Sequence, residues 1–177
     1  MNALVVWFTG LSGSGKTTIA RGAVAALERT GRRVRLLDGD AIRSSVHDDL
    51  GFTPDDIKEN ARRVVDLCRD GCDEYDYVFV TMISPFAESR RYVRRALEPR
   101  VVEIYINASV DECARRDVKG LYSKARQGAV ENLIGVSPST PYEPPSAPDL
   151  EIQTAQMTID ASVDLLIGFL ATRPNAG

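Results

Sequence analysis

Residues Gly10 to Thr17 read GLSGSGKT and match G-x-x-x-x-G-K-[ST] in full. An apolar, β-branched run (Ala3 to Thr9, ALVVWFT) precedes them, and Thr17 to Arg29 follows with Ile19, Ala23, Ala26 and Leu27 at helical spacing. Strand, glycine-rich turn and helix in that order form a phosphate cradle. The glycines let the backbone wrap an anion with its N–H groups pointing inward, and the helix N-terminus adds partial positive charge. Lys16 is placed to bridge β- and γ-phosphates, and the Thr17 hydroxyl to ligate Mg²⁺. The expected nucleotide contacts are Gly10, Ser12, Gly13, Ser14, Gly15, Lys16, Thr17 and Thr18, with ATP and Mg²⁺ as the implied cofactors.

Further apolar runs alternate with helical patterns. Strands are expected at Arg33 to Leu37, Tyr77 to Met82, Val101 to Ile106 and Leu150 to Gln153. Helices are expected within Asp55 to Tyr75 (capped by Thr53-Pro54), at Glu88 to Leu97, at Val110 to Arg116 and at Ile159 to Ala171. Such alternation predicts an α/β, three-layer fold: a parallel five-stranded sheet with helices on both faces and ligands at the strands' carboxyl ends. Residues 118–148 break the pattern. Lys119 to Gly128 is basic, and five of the nine prolines fall at 138, 141, 144, 145 and 148. That density suits neither helix nor strand interiors. The segment reads as a mobile lid excursion with a short helix and a proline-stiffened return.

With 177 residues the chain is expected to form one domain. A net charge of −3 disfavours a nucleic-acid or membrane-surface binder. The three cysteines, Cys68, Cys72 and Cys113, give no disulfide framework and no zinc spacing. No leader and no membrane-length apolar run is visible, so a cytoplasmic location is expected. Trp7 reads as core, the lone His47 as exposed beside Asp48 and Asp49, and Tyr142 as packing under the lid. The Arg90, Arg91, Arg94 and Arg95 cluster reads as a solvated helix face.

The metal-side aspartate common at the end of a later strand is missing, since the third strand ends at Thr81-Met82. The carboxylates nearest in logic are Asp38 and Asp40, after the second strand. Separated by Gly39, they can do different jobs: one holds the metal's water shell, the other accepts a proton from an attacking hydroxyl. Asp38 is therefore the metal-side candidate beside Thr17, and Asp40 the base. A GTPase switch would need N-K-x-D, which is absent from the sequence. A non-catalytic nucleotide-binding module is disfavoured by Lys16, Thr17, Asp38 and Asp40 together. A nucleic-acid kinase is disfavoured by the charge.

Seven further strings follow in order: LDGD-x-x-R (Leu37 to Arg43), DLGF (Asp49 to Phe52), KEN-x-RR (Lys58 to Arg63), ISP (Ile83 to Pro85), RD-x-KGLY (Arg116 to Tyr122), KARQG (Lys124 to Gly128) and PYEPP (Pro141 to Pro145). With WFTGLSGSGKTT they resemble the adenylylsulfate kinase family of P-loop kinases, over about residues 4–154. The resemblance implies transfer of the ATP γ-phosphoryl group to the 3′-hydroxyl of adenylylsulfate (APS), giving the activated sulfate donor PAPS. It implies a catalytic set of Asp40, Lys16, Ser84 and Asp38. It implies that Asp40, Arg43, Phe52, Asn60, Ile83, Ser84, Lys119 and Leu133 meet the acceptor and that Arg116 meets the ATP side. Lys119 and Lys124 would belong to the lid. A homodimer is also implied.

Four positions depart from the family strings. Ala41 stands for asparagine after DGD, Ile57 for an arginine that contacts the acceptor's anionic end, Ala87 for the arginine of SPYRADR, and Leu133 for a phenylalanine that stacks on the acceptor base. All lie on the acceptor side. They admit a second reading, a related kinase acting on another nucleotide such as cytidine diphosphoramidate.

Overall fold

A computed structural model describes residues 3–70, 72–117, 119–130 and 132–173. Five strands form one parallel sheet: β1 (Leu4–Thr9), β2 (Val34–Asp38), β3 (Tyr77–Thr81), β4 (Val101–Asn107) and β5 (Leu150–Gln153), in the order β2-β3-β1-β4-β5. The helices are α1 (Lys16–Arg29), α2 (Gly39–Ser45), α3 (Pro54–Arg69), α4 (Ala87–Leu97), α5 (Val110–Arg116), α6 (Leu121–Arg126) and α7 (Ile159–Ala171). The α/β expectation holds.

Strand alternation sorts the core into two layers. Ala3, Val5 and Trp7 face one side, with Ala61, Val64, Val65 and Cys68 of α3 and Val93 and Leu97 of α4. Leu4, Val6 and Phe8 face the other, with Ile19, Ala20 and Ala23 of α1 and Leu166 and Leu170 of α7. β1 is buried at every position because a central parallel strand is covered on both faces. The chain leaves β1 for β2 on one side and later crosses from β3 to β4 on the other. The loop after β1 therefore sits at the switch point, where doubly wound sheets open a crevice.

Thr53 caps α3 in a reciprocal capping box with Asp56, and Pro54 opens the helix. The helix ends at Arg69, short of the expected stretch to Tyr75. One element went unpredicted. α2 follows β2 directly, with the Asp38 carboxylate accepting from the Asp40 N–H at its N-terminus. Asp38-Gly39-Asp40 is thus a helix start rather than a free turn.

Two expectations are corrected. His47 is buried, because its loop folds inward: its N–H donates to Ile42 O, and its carbonyl accepts from Leu50 N–H. Arg90 is buried as well, 2.9 Å from Glu103 of β4, while Arg94 reaches Asp149 at 2.6 Å. That face of α4 is an ion-pair seam against the sheet. The described residues of 118–148, a segment expected as a mobile excursion with a short helix, carry that helix as α6 and touch the rest of the fold at both ends. Tyr122 Oη donates to Ser12 O at 2.8 Å, and Glu143 N–H donates to Pro85 O at 2.9 Å. Tyr142 Oη lies 2.9 Å from Thr9 Oγ1, which places it under this segment as expected. All three cysteines are free and buried. No helix among the described residues is long and apolar enough to cross a membrane.

Candidate active site

The loop from Gly10 to Gly15 wraps the carboxyl end of β1. A Cβ on Gly10 would lie 2.5 Å from Ile106 O, at a φ of +148°. Gly13, at φ +80°, passes over the Cys113 carbonyl, 3.1 Å from where its own Cβ would be. Only glycine fits both the space and the left-handed backbone. Arg116 fastens the loop from behind, donating to Ser14 O at 3.1 Å and to Thr154 O at 3.0 Å. Its assigned nucleotide contact is thus joined by a loop-bracing one, though it also lines the cavity.

Lys16 opens α1 with its ammonium 2.9 Å from Gly10 O and 2.7 Å from Leu11 O. Both partners are neutral carbonyls. Burial lowers its pKa to about 8, only partly offset by Asp40 and Asp38. A buried cation with no carboxylate in contact among the described residues is a site short of negative charge. Ser14 Oγ is buried without a protein partner in the same loop. The Lys16 environment fits a bound polyphosphate.

One cavity of about 850 Å³ runs along the carboxyl ends of the strands. At its centre are Ser12, Gly13, Gly15, Lys16, Thr17 and Thr18. One end is walled by Thr154, Met157, Thr158, Ile159 and Ser162, around the start of α7. The other is walled by Asp40, Arg43, Leu50, Phe52, Ile57 and Asn60, from α2, the next loop and α3. Ile83, Ser84, Arg116 and Lys119 also face it.

Four of the expected site residues are not part of that lining. Gly10 and Ser14 lie behind the loop's surface. Asp38 turns its carboxylate to the α2 N-terminus, 3.9 Å from Arg21. Leu133 is buried with Leu11, Ala108, Cys113 and Tyr122 beneath the loop, and its neighbour Ile134 forms the cavity wall instead. The substitution at 133 therefore does not itself present a side chain to the cavity. Thr81, Met82 and Ser89 line it too and were not singled out in the sequence. Thr81 Oγ1 and Ser89 Oγ are buried without partners. Their only sequence signal is adjacency to the ISP string.

Asp40 projects from the first turn of α2 and pairs with Lys119, just before α6. The two acids diverge, Asp40 toward the cavity and Asp38 toward the helix end rather than toward the metal side expected of it. Arg43 stacks over the Phe52 ring, 4.5 Å from its centroid, and donates to Leu50 O and Gly51 O. That leaves the other face of Phe52, which is exposed, open for stacking. Asn60 Oδ1 lies 2.8 Å from His47 Nδ1.

Ser84 has φ +45°, a strained left-handed backbone for a non-glycine residue. It is held on every side. Trp7 Nε1 donates to its Oγ at 2.9 Å, Arg90 Nη1 donates to its carbonyl at 2.7 Å, and Thr9 Oγ1 fixes Ile83 O at 2.7 Å. With Trp7 filling an acceptor position, the Ser84 hydroxyl proton is left to donate.

A profile of the family described as adenylylsulphate kinase matches residues 2–153. The chain belongs to the adenylylsulphate kinase family. It is 44% identical over 170 residues to an adenylyl-sulfate kinase of Marinobacter nauticus, covering 96% of this chain and 84% of that one. It is 43% identical over 175 residues to one of Geotalea uraniireducens, covering 98% and 83%. A solved structure of the Mycobacterium tuberculosis APS kinase in complex with AMPPNP and APS superposes with a TM-score of 0.90. That pair is 35% identical over 97% of this chain and 99% of the other. A gluconokinase of Sinorhizobium meliloti, 16% identical at a TM-score of 0.63 over 96% and 92%, shares the fold alone.

Proposed function

We propose that the chain transfers the γ-phosphoryl group of ATP to the 3′-hydroxyl of APS, yielding PAPS and ADP. One observation carries this reading. A single cavity places the Lys16 cradle between a donor end at α7 and an acceptor end at Phe52 and Asn60. Two nucleotides can thus meet across one phosphate site, as in-line transfer requires.

Phosphoryl transfer asks the protein for position and charge. Lys16 leaves the loop carbonyls and neutralises the β- and γ-phosphates. Loop N–H groups hold the remaining oxygens. The Thr17 hydroxyl is a hard oxygen on the cavity wall and would hold Mg²⁺, whereas Asp38 would reach the metal's water shell only by turning from the α2 N-terminus. Bound there, the metal would supply charge neutralisation at the transferring group. Asp40 accepts the proton of the acceptor hydroxyl. Ser84 donates its hydroxyl toward the transferred phosphate. Arg43, Phe52, Asn60 and Ile83 seat the acceptor, with Ile134 rather than Leu133 on its wall. Lys119 exchanges Asp40 for the nucleotides as the lid closes with Lys124, which excludes water. The Lys119–Asp40 pair is at least half exposed on both sides, so releasing it costs at most about 1 kcal/mol.

The test is ADP release with Mg-ATP and a panel of acceptors: APS, cytidine diphosphoramidate, plain nucleotides and none. APS is expected to turn over best, and Asp40→Asn to lower kcat roughly a hundredfold or more. An inert APS beside an active cytidine diphosphoramidate would move the substrate assignment to the other nucleotide. The homodimer and a cytoplasmic location belong to the same proposal, on the strength of the family resemblance. Light scattering at twice 19.4 kDa checks the first.

A further inference from the structure

The cations at the acceptor end of the cavity are already engaged: Arg43 stacks on Phe52 and Lys119 pairs with Asp40. Around Asn60 that end is walled by Leu50, Ile57, Ala61 and Met82, and position 57 carries no guanidinium. The Asn60 side chain is therefore a principal polar group there, and which end of its amide faces the cavity matters. His47 decides this. It is buried, 4% exposed, and Asn60 is 3% exposed. Its loop is pinned by backbone bonds to Ile42 and Leu50, so the imidazole is held in place. The ring nitrogen Nδ1 lies 2.8 Å from the amide oxygen. Two acceptors cannot share that distance, so Nδ1 carries the proton and donates.

We propose that His47 is a positioning residue for acceptor specificity. Its Nδ1–H holds the Asn60 carbonyl away from the cavity and turns the two amide N–H donors toward an oxyanion of the acceptor nucleotide. The inference rests on the proposed transfer to an anionic nucleotide and deepens it. With isoleucine at position 57, the neutral, oriented amide of Asn60 is left to meet the anion. A freely rotating amide would offer its oxygen to the same anion in one of its two orientations, which is repulsive.

Steady-state kinetics of His47→Phe and His47→Asn test this, with APS and ATP varied separately. Phenylalanine keeps the bulk and removes the donor; asparagine places an N–H near the Nδ1 position. His47→Phe is expected to raise KM for APS about tenfold or more, with kcat and KM for ATP within about twofold. His47→Asn is expected to recover most of that loss. Equal losses in both variants, or parallel rises in the two KM values, would show a merely structural role and overturn the inference. Asn60→Asp guards against a His47 variant that does not fold. It keeps the oxygen facing His47 but puts a carboxylate oxygen toward the acceptor, so KM for APS should rise at least tenfold. An unchanged KM there overturns the inference. A wild-type chain inert on APS removes the functional reading and this inference with it. An active wild type with insensitive variants removes the inference alone.

Discussion

Lys16→Met is expected to reduce kcat roughly a thousandfold while leaving the unliganded fold as stable as wild type or more so. Losing one charge-stabilising donor at a transferring group typically costs 10²- to 10³-fold, about 3–4 kcal/mol. The stability side runs the other way. The ammonium sits buried against two neutral carbonyls, and its pKa has fallen from 10.5 to about 8. Below that value the folded chain holds a charge that the unfolded chain solvates better. The penalty is about 3 kcal/mol at neutral pH, less the two hydrogen bonds. Methionine keeps much of the volume and removes that penalty. Thermal melts without ligand should show the variant level with wild type or a few degrees above it, while kinetics show it inactive. A variant that melts well below wild type would mean that the lysine braces the loop, not that it waits for phosphate.

The same shift sets a pH signature. A lysine with a depressed folded pKa makes the unfolded state bind more protons between about pH 8 and its ordinary value of 10.5. Wild-type stability relative to Lys16→Met should therefore rise with pH across that window and be flat below it. Polyphosphate binding restores the charge, so ATP binding near pH 8–9 should take up a proton. Titration calorimetry in buffers of different ionisation enthalpy reads this directly, and Lys16→Met should abolish it. Tuning a group for a ligand at the expense of the empty fold is a recurring feature of functional sites.

How legible this was in the sequence depended on the kind of signal. β5, α5 and α7 start and stop where expected, because cap residues and apolar spacing mark their ends locally: Ser109 caps α5 and Thr158 caps α7. The short α2 left no such trace. It buries only Ile42, so it has no apolar period, and its single clue was an aspartate placed to cap it. The phosphate loop was legible because its chemistry is contiguous along the chain. The acceptor end is assembled from three elements, so spacing did not show it; the ordered family strings named residues that line it, Leu133 excepted. Leu133 against Ile134 is a one-residue question of facing, which spacing in an irregular, proline-rich stretch cannot answer. His47 looked exposed from its aspartate neighbours, yet its partner lies 13 residues on, across a loop and into α3.

Arg90 was hidden for a related reason: one buried arginine in a run of exposed ones looks like the rest. Its position gives the largest expected loss of stability. The guanidinium donates to Ser84 O at 2.7 Å, Pro85 O at 3.1 Å and Glu143 O at 2.6 Å, and Nε pairs with Glu103 at 2.9 Å. It thereby ties the strained Ser84 loop, the proline-rich return and β4 into one unit. Arg90→Met leaves Glu103, whose pKa burial already pushes up, with Arg94 at 3.7 Å as its remaining cation. Breaking one partner of a buried pair costs about 3–5 kcal/mol, or roughly 10 °C in Tm for a chain this size. The sign with pH follows. Glu103, raised further without its arginine, takes up a proton in the folded chain as pH falls, so the deficit against wild type should shrink on acidification. A second substitution separates stability from catalysis. Arg90→Met with Glu103→Leu removes both charges, and an apolar pair of similar volume is often no worse than the ion pair it replaces. That double variant should recover most of the Tm. It should not recover kcat, because the carbonyls of Ser84 and Pro85 still lack their donor, and the hydroxyl aimed at the transferred phosphate loses its fixed backbone. Recovery of both together would mean that Arg90 only neutralises Glu103.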